Sequence, residues 1–90
     1  MRDIDNLYRI AMQSLATRYR YMAYDLNDIE LYNFIAEFED GVITDAPLLK
    51  LNRWLGYIQG VLITKGATTV TTERDFTRPL FRPLDFPGES

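Results

Sequence analysis

The sequence predicts an all-α fold: a small bundle of three main helices, plus a short fourth helix and an extended arginine-proline tail. Apolar residues recur at steps of three and four along three successive segments, which is the period of a helix face packed on a core. Prolines at 79, 83 and 87 break any helix that would continue beyond them. A chain of 90 residues forms one domain, so we expect a helical body over residues 1–77 and a tail over residues 78–90.

The first segment predicts a long helix, since no Gly or Pro interrupts it before Asn27. Asp3 and Asp5 lie where acidic side chains favour a helix start. Residues at helical spacing give this segment one apolar face: Ile4, Leu7, Tyr8, Ala11, Leu15, Tyr19, Met22 and Leu26.

A second helix is predicted over residues 28–40. Asn27 is a capping residue type, and Glu30 follows three positions later, as in a capping box. Gly41 stands where a helix ends, and residues 42–44 suit a short extended connector. The apolar face of this second helix comprises Leu31, Phe34, Ile35 and Phe38.

The third helix has the most regular pattern in the chain. We expect Asp45 to cap it, Pro47 to lie in its first turn and Gly66 to end it. Gly56 and Gly60 share one face, which favours close packing against the first helix, with a homodimer seam or a ligand seat as alternatives. Its apolar stripe comprises Leu48, Leu51, Leu55, Ile58 and Leu62, widened by Trp54 and Val61.

Beyond Gly66, the β-branched residues 67–72 suit a strand or the start of a short helix that continues to Phe76. We favour the helix, capped by Thr68 or Thr69, because a lone strand has no partner to pair with. The tail then repeats Arg-Pro-Leu at a four-residue period. Its apolar side chains need cover from the chain's own core, from a neighbouring subunit or from a foreign partner: Leu80, Phe81, Leu84 and Phe86.

Catalysis has little support in this composition. Without Cys or His, the chain has no thiolate ligand, no disulfide and no imidazole base. Carboxylates such as Glu37 with Asp40, or Glu73 with Asp75, could face a hard cation, but no calcium-loop spacing accompanies them. We therefore expect no enzymatic activity, no metal and no cofactor.

The charges are distributed unevenly. Six acidic residues and no basic residue lie between Asn27 and Pro47, whereas arginines collect near both ends of a chain of net charge −3. We interpret the acidic run as a solvated helix face. Acids near the N-terminus and basic or polar breaks in the apolar stretches argue against a signal peptide or a membrane span, so a cytoplasmic location is expected. A small domain without disulfide or metal often gains stability by forming a homo-oligomer.

Two groups of residues are candidates for binding. Aromatic and arginine side chains dominate binding energy when buried, which favours a first group as contacts to a partner protein: Trp54, Tyr57, Arg74, Arg78, Phe81 and Arg82. A second group interleaves bases with aromatic rings and could hold a nucleotide: Arg18, Arg20, Tyr21 and Tyr24. The favoured interpretation of this second group is structural, with half-buried tyrosines and arginines paired to the acidic second helix. We do not expect a nucleic-acid partner for an acidic protein.

The segment from Leu51 to Leu62, which contains Arg-Trp-Leu-Gly-Tyr-Ile-Gln-Gly-Val-Leu, resembles short bacteriophage-encoded helical proteins of unknown function. Gly66, Glu73 and the Arg-Pro segment from Arg78 follow in the same order, so the resemblance covers about residues 48–83. It implies a phage or prophage origin and transfers no catalytic residues.

By analogy, the resemblance implies a non-catalytic protein that inhibits or modulates a host protein, of defence or of housekeeping, in the cytoplasm of an infected or lysogenic bacterium. One alternative is a homo-oligomeric sponge for a nucleotide signal, with Arg74 of a neighbouring subunit facing the Arg18–Tyr24 group. The other is a phage structural or assembly component.

Overall fold

A computed structural model describes residues 4–85, in which four helices and no strand are found. This confirms the predicted all-α class. The first helix packs against each of the other three, and the second also packs against the third. The helices are α1 (Ile4–Asp25), α2 (Ile29–Ile43), α3 (Leu48–Thr64) and α4 (Val70–Asp85).

The core lies where α1, α2 and α3 meet. Tyr19 and Phe38 are its largest fully buried side chains, and Met12, which the predicted stripe of α1 omits, is also fully buried. Ile4 and Tyr8, at the start of the predicted stripe, are only partly covered. The predicted α3 stripe is confirmed at four of its five positions, all buried: Leu51, Leu55, Ile58 and Leu62.

The first three helices are each followed by a residue with positive φ: Asn27 (56°), Asp45 (73°) and Gly66 (78°). In each case the next amide bonds back to a carbonyl five residues earlier, at 2.9–3.0 Å, which is the Schellman pattern. Asn27 and Asp45 therefore terminate α1 and α2, and their predicted roles as N-caps are wrong. Gly66 ends α3 as predicted.

The actual starts of α2 and α3 differ from the predicted caps. Asp28 caps α2, its carboxylate accepting a hydrogen bond of 3.0 Å from the amide of Leu31. Pro47 precedes α3 without any side-chain cap. Arg9 of α1 holds the turn between the two helices, donating to the carbonyl oxygen of Ala46 at 2.6 Å.

The glycines serve different purposes from those predicted. Gly41 does not end α2, which continues to Ile43; a Cβ at Gly41 would lie 3.3 Å from Leu51 Cδ2, so the glycine lets α3 come close. Gly56 and Gly60 are exposed, and a Cβ at either would meet nothing within 4 Å. Their predicted close packing against α1 is wrong.

The predicted short fourth helix and the predicted extended tail are wrong for residues 78–85, because α4 continues through Pro79 and Pro83 to Asp85. Both prolines are exposed and four residues apart, so they share the outer row of the helix. The missing N–H groups leave the carbonyls of residues 75 and 79 without their helical partners, and both residues are exposed. On the inner side, Leu80 and Phe81 pack against the chain's own core. Asp3 and the tail residues from Phe86 onward lie outside the described range.

Candidate functional site

A buried carboxylate attaches α4 to the rest of the bundle. Glu73, in the first turn of α4, is only 4% exposed. Its oxygens accept hydrogen bonds from Arg18 Nη2 at 3.0 Å, the Tyr19 hydroxyl at 2.5 Å and Thr68 Oγ1 at 2.6 Å. Gln59 Nε2 donates to the Tyr19 hydroxyl at 2.9 Å. This Glu73 network connects α1, α3 and α4.

The protonation states of the Glu73 carboxyl and the Tyr19 hydroxyl suit a structural role. Burial raises the pKa of Glu73, but hydrogen bonds from Arg18, Thr68 and Tyr19 outweigh it and hold that pKa below its ordinary value of 4.5. Burial raises the pKa of the Tyr19 hydroxyl, and its hydrogen bond to Glu73 raises it further. At neutral pH the carboxylate is therefore charged and the phenol neutral, each with partners in the chain. The sequence pattern did not predict this network, since Glu73 stands beside Asp75 like a surface carboxylate.

The four predicted nucleotide-binding residues do not converge. Arg18 points to α4, where it pairs with Glu73 and lies 4.2 Å from the ring centre of Phe76. Arg20 points to α2 and pairs with Glu39 at 2.9 Å. The predicted pairing of arginines with the acidic second helix thus holds for Arg20 only. The two tyrosines of this group are solvent-exposed rather than half-buried, Tyr21 by 70% and Tyr24 by 72%.

Exposed rings cluster where α1 turns into α2. The left-handed conformation of Asn27 directs α2 back along α1, which places Ile29 and Tyr32 beside Tyr24. Ile29 is 74% exposed and Tyr32 37%. We call Tyr21, Tyr24, Ile29 and Tyr32 the tyrosine patch.

The tyrosine patch contains two adjoining concavities of about 410 and 390 Å³. Tyr24 and Tyr32 line both, so they form the wall between them. Asp28 lies on the rim of the first and Asp25 on the rim of the second. A hydrogen bond from Lys65 lowers the pKa of Asp28 and compensates its charge. Arg20 also lines the second concavity but is paired with Glu39, so the exposed Asp25 leaves the rim net negative.

Ile29 and Tyr32 were absent from the sequence-predicted candidates. Both fall outside the predicted apolar face of α2, which includes Leu31 and Ile35. An isoleucine and a tyrosine on the polar side of an amphipathic helix are the sequence signal that could have identified them.

The six predicted partner-binding residues form separate groups. Trp54 and Tyr57 both contact the ring of Phe34 in α2, at centroid distances of 5.7 and 5.1 Å. Trp54 packs against the core, while Tyr57 remains 59% exposed. Phe81 stacks on Tyr8 of α1 and also packs against the core. The arginines form an exposed row along α4: Arg74, Arg78 and Arg82.

A third concavity of about 380 Å³ lies between α3 and α4. Gly56 lines it beside Gln59, and Tyr8 donates a hydrogen bond to Asp85 at its edge. Its walls mix apolar rings with amides and a carboxylate. Gly56 therefore contributes to an open groove rather than to a helix contact.

Residues 4–85 contain no group of three or more acidic, His or Cys side chains that could hold a metal ion. None of the helices in that range is long and apolar enough to cross a membrane. Comparisons with protein-family models, curated proteins and solved structures found no match to the chain. The arrangement of its own side chains is therefore the basis of the functional proposal.

Proposed function

We propose that the protein is a non-catalytic binding protein whose tyrosine patch docks a partner protein. The observation that carries this proposal is the exposure of Tyr21, Tyr24 and Ile29, each at least 70%, on one continuous surface. Contiguous exposed apolar side chains are characteristic of interaction sites. Tyrosine is suited to this role, because it offers a large contact area with few rotatable bonds.

The shape and charge of the patch define the chemistry of the partner. Two concavities separated by Tyr24 and Tyr32 suit a segment that inserts two apolar side chains. The negative rim around Asp25 suits basic residues flanking those side chains, since opposite charge steers association. The resemblance to phage proteins makes a host protein the proposed partner, with inhibition or modulation as the consequence of docking.

A matched pair of substitutions tests this proposal. Ile29→Asp places a charge in the patch, whereas Leu49→Asp places one at an equally exposed residue of α3, 76% against 74%. Both positions lie in the first turn of a helix, where an acidic residue favours helix formation. Both variants should therefore fold.

The proteins would be tagged, purified from bacterial cells and compared by quantitative mass spectrometry, and the affinity for the recovered partner measured. We expect wild type and Leu49→Asp to retain one partner at a fixed ratio. A partner that buries Ile29 gains about 2 kcal/mol from this contact. Ile29→Asp should therefore weaken the affinity for the partner roughly 30-fold. Equal retention by both variants would contradict docking at the tyrosine patch.

A second candidate function, a nucleotide sponge, is favoured by one feature of the same surface. Tyr21, Tyr24 and Tyr32 line a concavity with Arg20 on its rim, and nucleobases stack on tyrosine rings. Since Arg18 is engaged by Glu73 and Arg20 by Glu39, the phosphate would require an arginine of a neighbouring subunit. A thermal-shift screen with mono- and cyclic nucleotides tests this: stabilisation that Tyr24→Ala abolishes supports the sponge, and no stabilisation excludes it.

A further inference from the structure

The tyrosine patch carries hydrogen-bond donors that the chain itself does not use. The phenol hydroxyls of Tyr21, Tyr24 and Tyr32 form no hydrogen bond within the described range 4–85, whereas those of Tyr8 and Tyr19 both donate inside the fold. Each unused phenol is free to donate one hydrogen bond. The patch therefore offers a partner three donors set among apolar ring faces.

Unused donors favour a partner segment whose backbone carbonyl groups are free to accept. A docked α-helix satisfies its carbonyl groups internally, and a docked strand needs a sheet edge, which residues 4–85 do not contain. A polyproline II segment has no internal hydrogen bonds, so its carbonyl groups all remain acceptors. Of these three peptide conformations, polyproline II therefore makes the fullest use of the phenols.

The two concavities of the patch also suit the repeat of a polyproline II segment. That conformation repeats every three residues, or about 9 Å, so every third side chain points the same way. Tyr24 and Tyr32 form the wall between the concavities, and Ile29 lines the first. Proline-rich segments dock in grooves lined by such aromatic rings. Because proline fixes the conformation of the segment beforehand, little entropy is lost on docking, which suits a patch of only four side chains.

Charge distinguishes the two concavities. In the first, the carboxylate of Asp28 is paired with Lys65. In the second, Arg20 is already paired within the chain, while Asp25 forms no ion pair in the described range. Tyr21 lines this second concavity too, so a basic side chain there meets a carboxylate and a ring face. The first concavity therefore suits proline, and the second suits arginine or lysine.

We propose that the partner segment docked on the tyrosine patch is proline-rich and in the polyproline II conformation, with an arginine or lysine next to its prolines. The prolines occupy the concavity beside Ile29, and the basic side chain reaches Asp25 across the ring of Tyr21. The hydroxyls of Tyr24 and Tyr32 donate to backbone carbonyl groups of the segment. This inference rests on the proposed function, because it names the partner of the same surface.

Selection from a peptide library tests the inference before the natural partner is known. Random peptides of about ten residues, or three turns of polyproline II, would be displayed on yeast and selected on the immobilised full chain. Immobilised Ile29→Asp would remove the peptides that bind elsewhere. We expect the selected peptides to share two prolines three residues apart and a neighbouring arginine or lysine. Isothermal titration calorimetry would then measure the affinity of the most enriched peptide for the full chain.

A hydroxyl deletion tests the use of the phenols. Tyr24→Phe retains the ring and removes one donor, so it should weaken binding of the selected peptide about fivefold, the typical effect of one hydrogen bond. Tyr57→Phe is the matched control, because it removes the hydroxyl of an exposed tyrosine outside the patch. It should leave the affinity unchanged.

A charge deletion tests the recognition of the basic residue. Asp25 is the last residue of α1, where a negative charge is unfavourable, so Asp25→Asn should fold. This variant should bind the selected peptide about threefold more weakly. A peptide with glutamine in place of its basic residue should bind wild type and Asp25→Asn equally. Asp75→Asn removes an exposed carboxylate outside the patch and should bind the selected peptide like wild type.

Three results would overturn the inference: selected peptides without proline, a proline peptide that binds wild type and Tyr24→Phe equally, or no peptide recovered after removal on Ile29→Asp. Selected peptides that form an amphipathic helix would assign the patch to a helical partner instead. The proposed function is tested separately, because it fails if Ile29→Asp retains its cellular partner as well as Leu49→Asp does. A cellular partner that Ile29→Asp loses, together with selected peptides that lack proline, rejects this inference and leaves the proposed function in place.

Discussion

The hydroxyl of Tyr19, in the middle of α1, donates a hydrogen bond of 2.5 Å to the carboxylate of Glu73, at the start of α4. The same hydroxyl accepts a hydrogen bond from Gln59 of α3, so one buried group links three helices. α4 packs on α1, and its exposed side carries Arg74, Arg78 and Arg82. The orientation of α4 against the bundle therefore depends on this buried network.

Tyr19→Phe should destabilise the fold. The substitution preserves the ring in the core but leaves Glu73 and Gln59 each without one hydrogen-bond partner in a buried setting. Such a loss costs about 1–3 kcal/mol of unfolding free energy, which urea denaturation measures. Tyr21→Phe, at a 70% exposed position of the same helix, is the control and should change stability by less than about 0.5 kcal/mol. Equal effects of the two substitutions would show that the network contributes nothing.

The Glu73 network also predicts acid sensitivity. The pKa of Glu73 is lower in the folded protein than its ordinary value of 4.5, so its ionised form stabilises the fold. This stabilisation is complete above about pH 4.5 and is lost as the pH falls through the lower pKa of the folded state.

Urea unfolding of wild type and Glu73→Gln from neutral pH to about pH 3 checks this sign. At neutral pH the variant should be less stable by roughly 2–3 kcal/mol, below the range for fully buried pairs, because the Arg18 side chain retains 26% exposure. The difference should shrink as the pH falls. A difference that is constant with pH would mean that Glu73 acts through shape and not through charge.

The sequence pattern predicts the helical class and α3 well, because strict periodicity at Leu51, Leu55, Ile58 and Leu62 leaves one face for the core. The pattern was less informative at helix ends. Asn27 and Asp45 are residue types that both begin helices and terminate them in the left-handed region, and only the tertiary turn selects between these roles.

Three other features depend on packing that no local rule includes. Gly41 lies within α2 rather than at its end, and α3 approaches so closely that a Cβ at this position would lie 3.3 Å from Leu51 Cδ2. The expectation that proline ends a helix failed at Pro79 and Pro83. The spacing of a buried helix face, which favours the observed helix, is present at Thr77, Leu80, Phe81 and Leu84. The tyrosine patch arises only when α2 folds back on α1 and brings together residues from two helices.

Two glycine substitutions should have opposite effects on stability. A Cβ at Gly66 or at Gly60 would meet no atom within 4 Å, so neither alanine is hindered by packing. Gly66 has a φ of +78°, which alanine adopts only with strain, so Gly66→Ala should cost about 1 kcal/mol. Gly60 is inside α3, where alanine is the better helix former, so Gly60→Ala should add about 1 kcal/mol. Thermal unfolding midpoints that move in the same direction would contradict this assignment of the α3 end.

Replacing a proline in α4 tests whether the helix continues to Asp85. Proline is about 3 kcal/mol less favourable than alanine inside a helix, and Pro79 is exposed, so its ring makes little contact that alanine would lose. Pro79→Ala should therefore raise the unfolding free energy by about 1–3 kcal/mol, the lower value applying if the last turn frays.

Pro47→Ala is the matched control, because Pro47 precedes α3 with a φ of −58° that already suits proline. Its replacement should lower stability by about 0.4–1 kcal/mol, since alanine gives the unfolded chain more freedom. Urea denaturation of both variants measures these changes in the free energy of unfolding. If α4 ended before Pro79, both alanines would instead be neutral or destabilising.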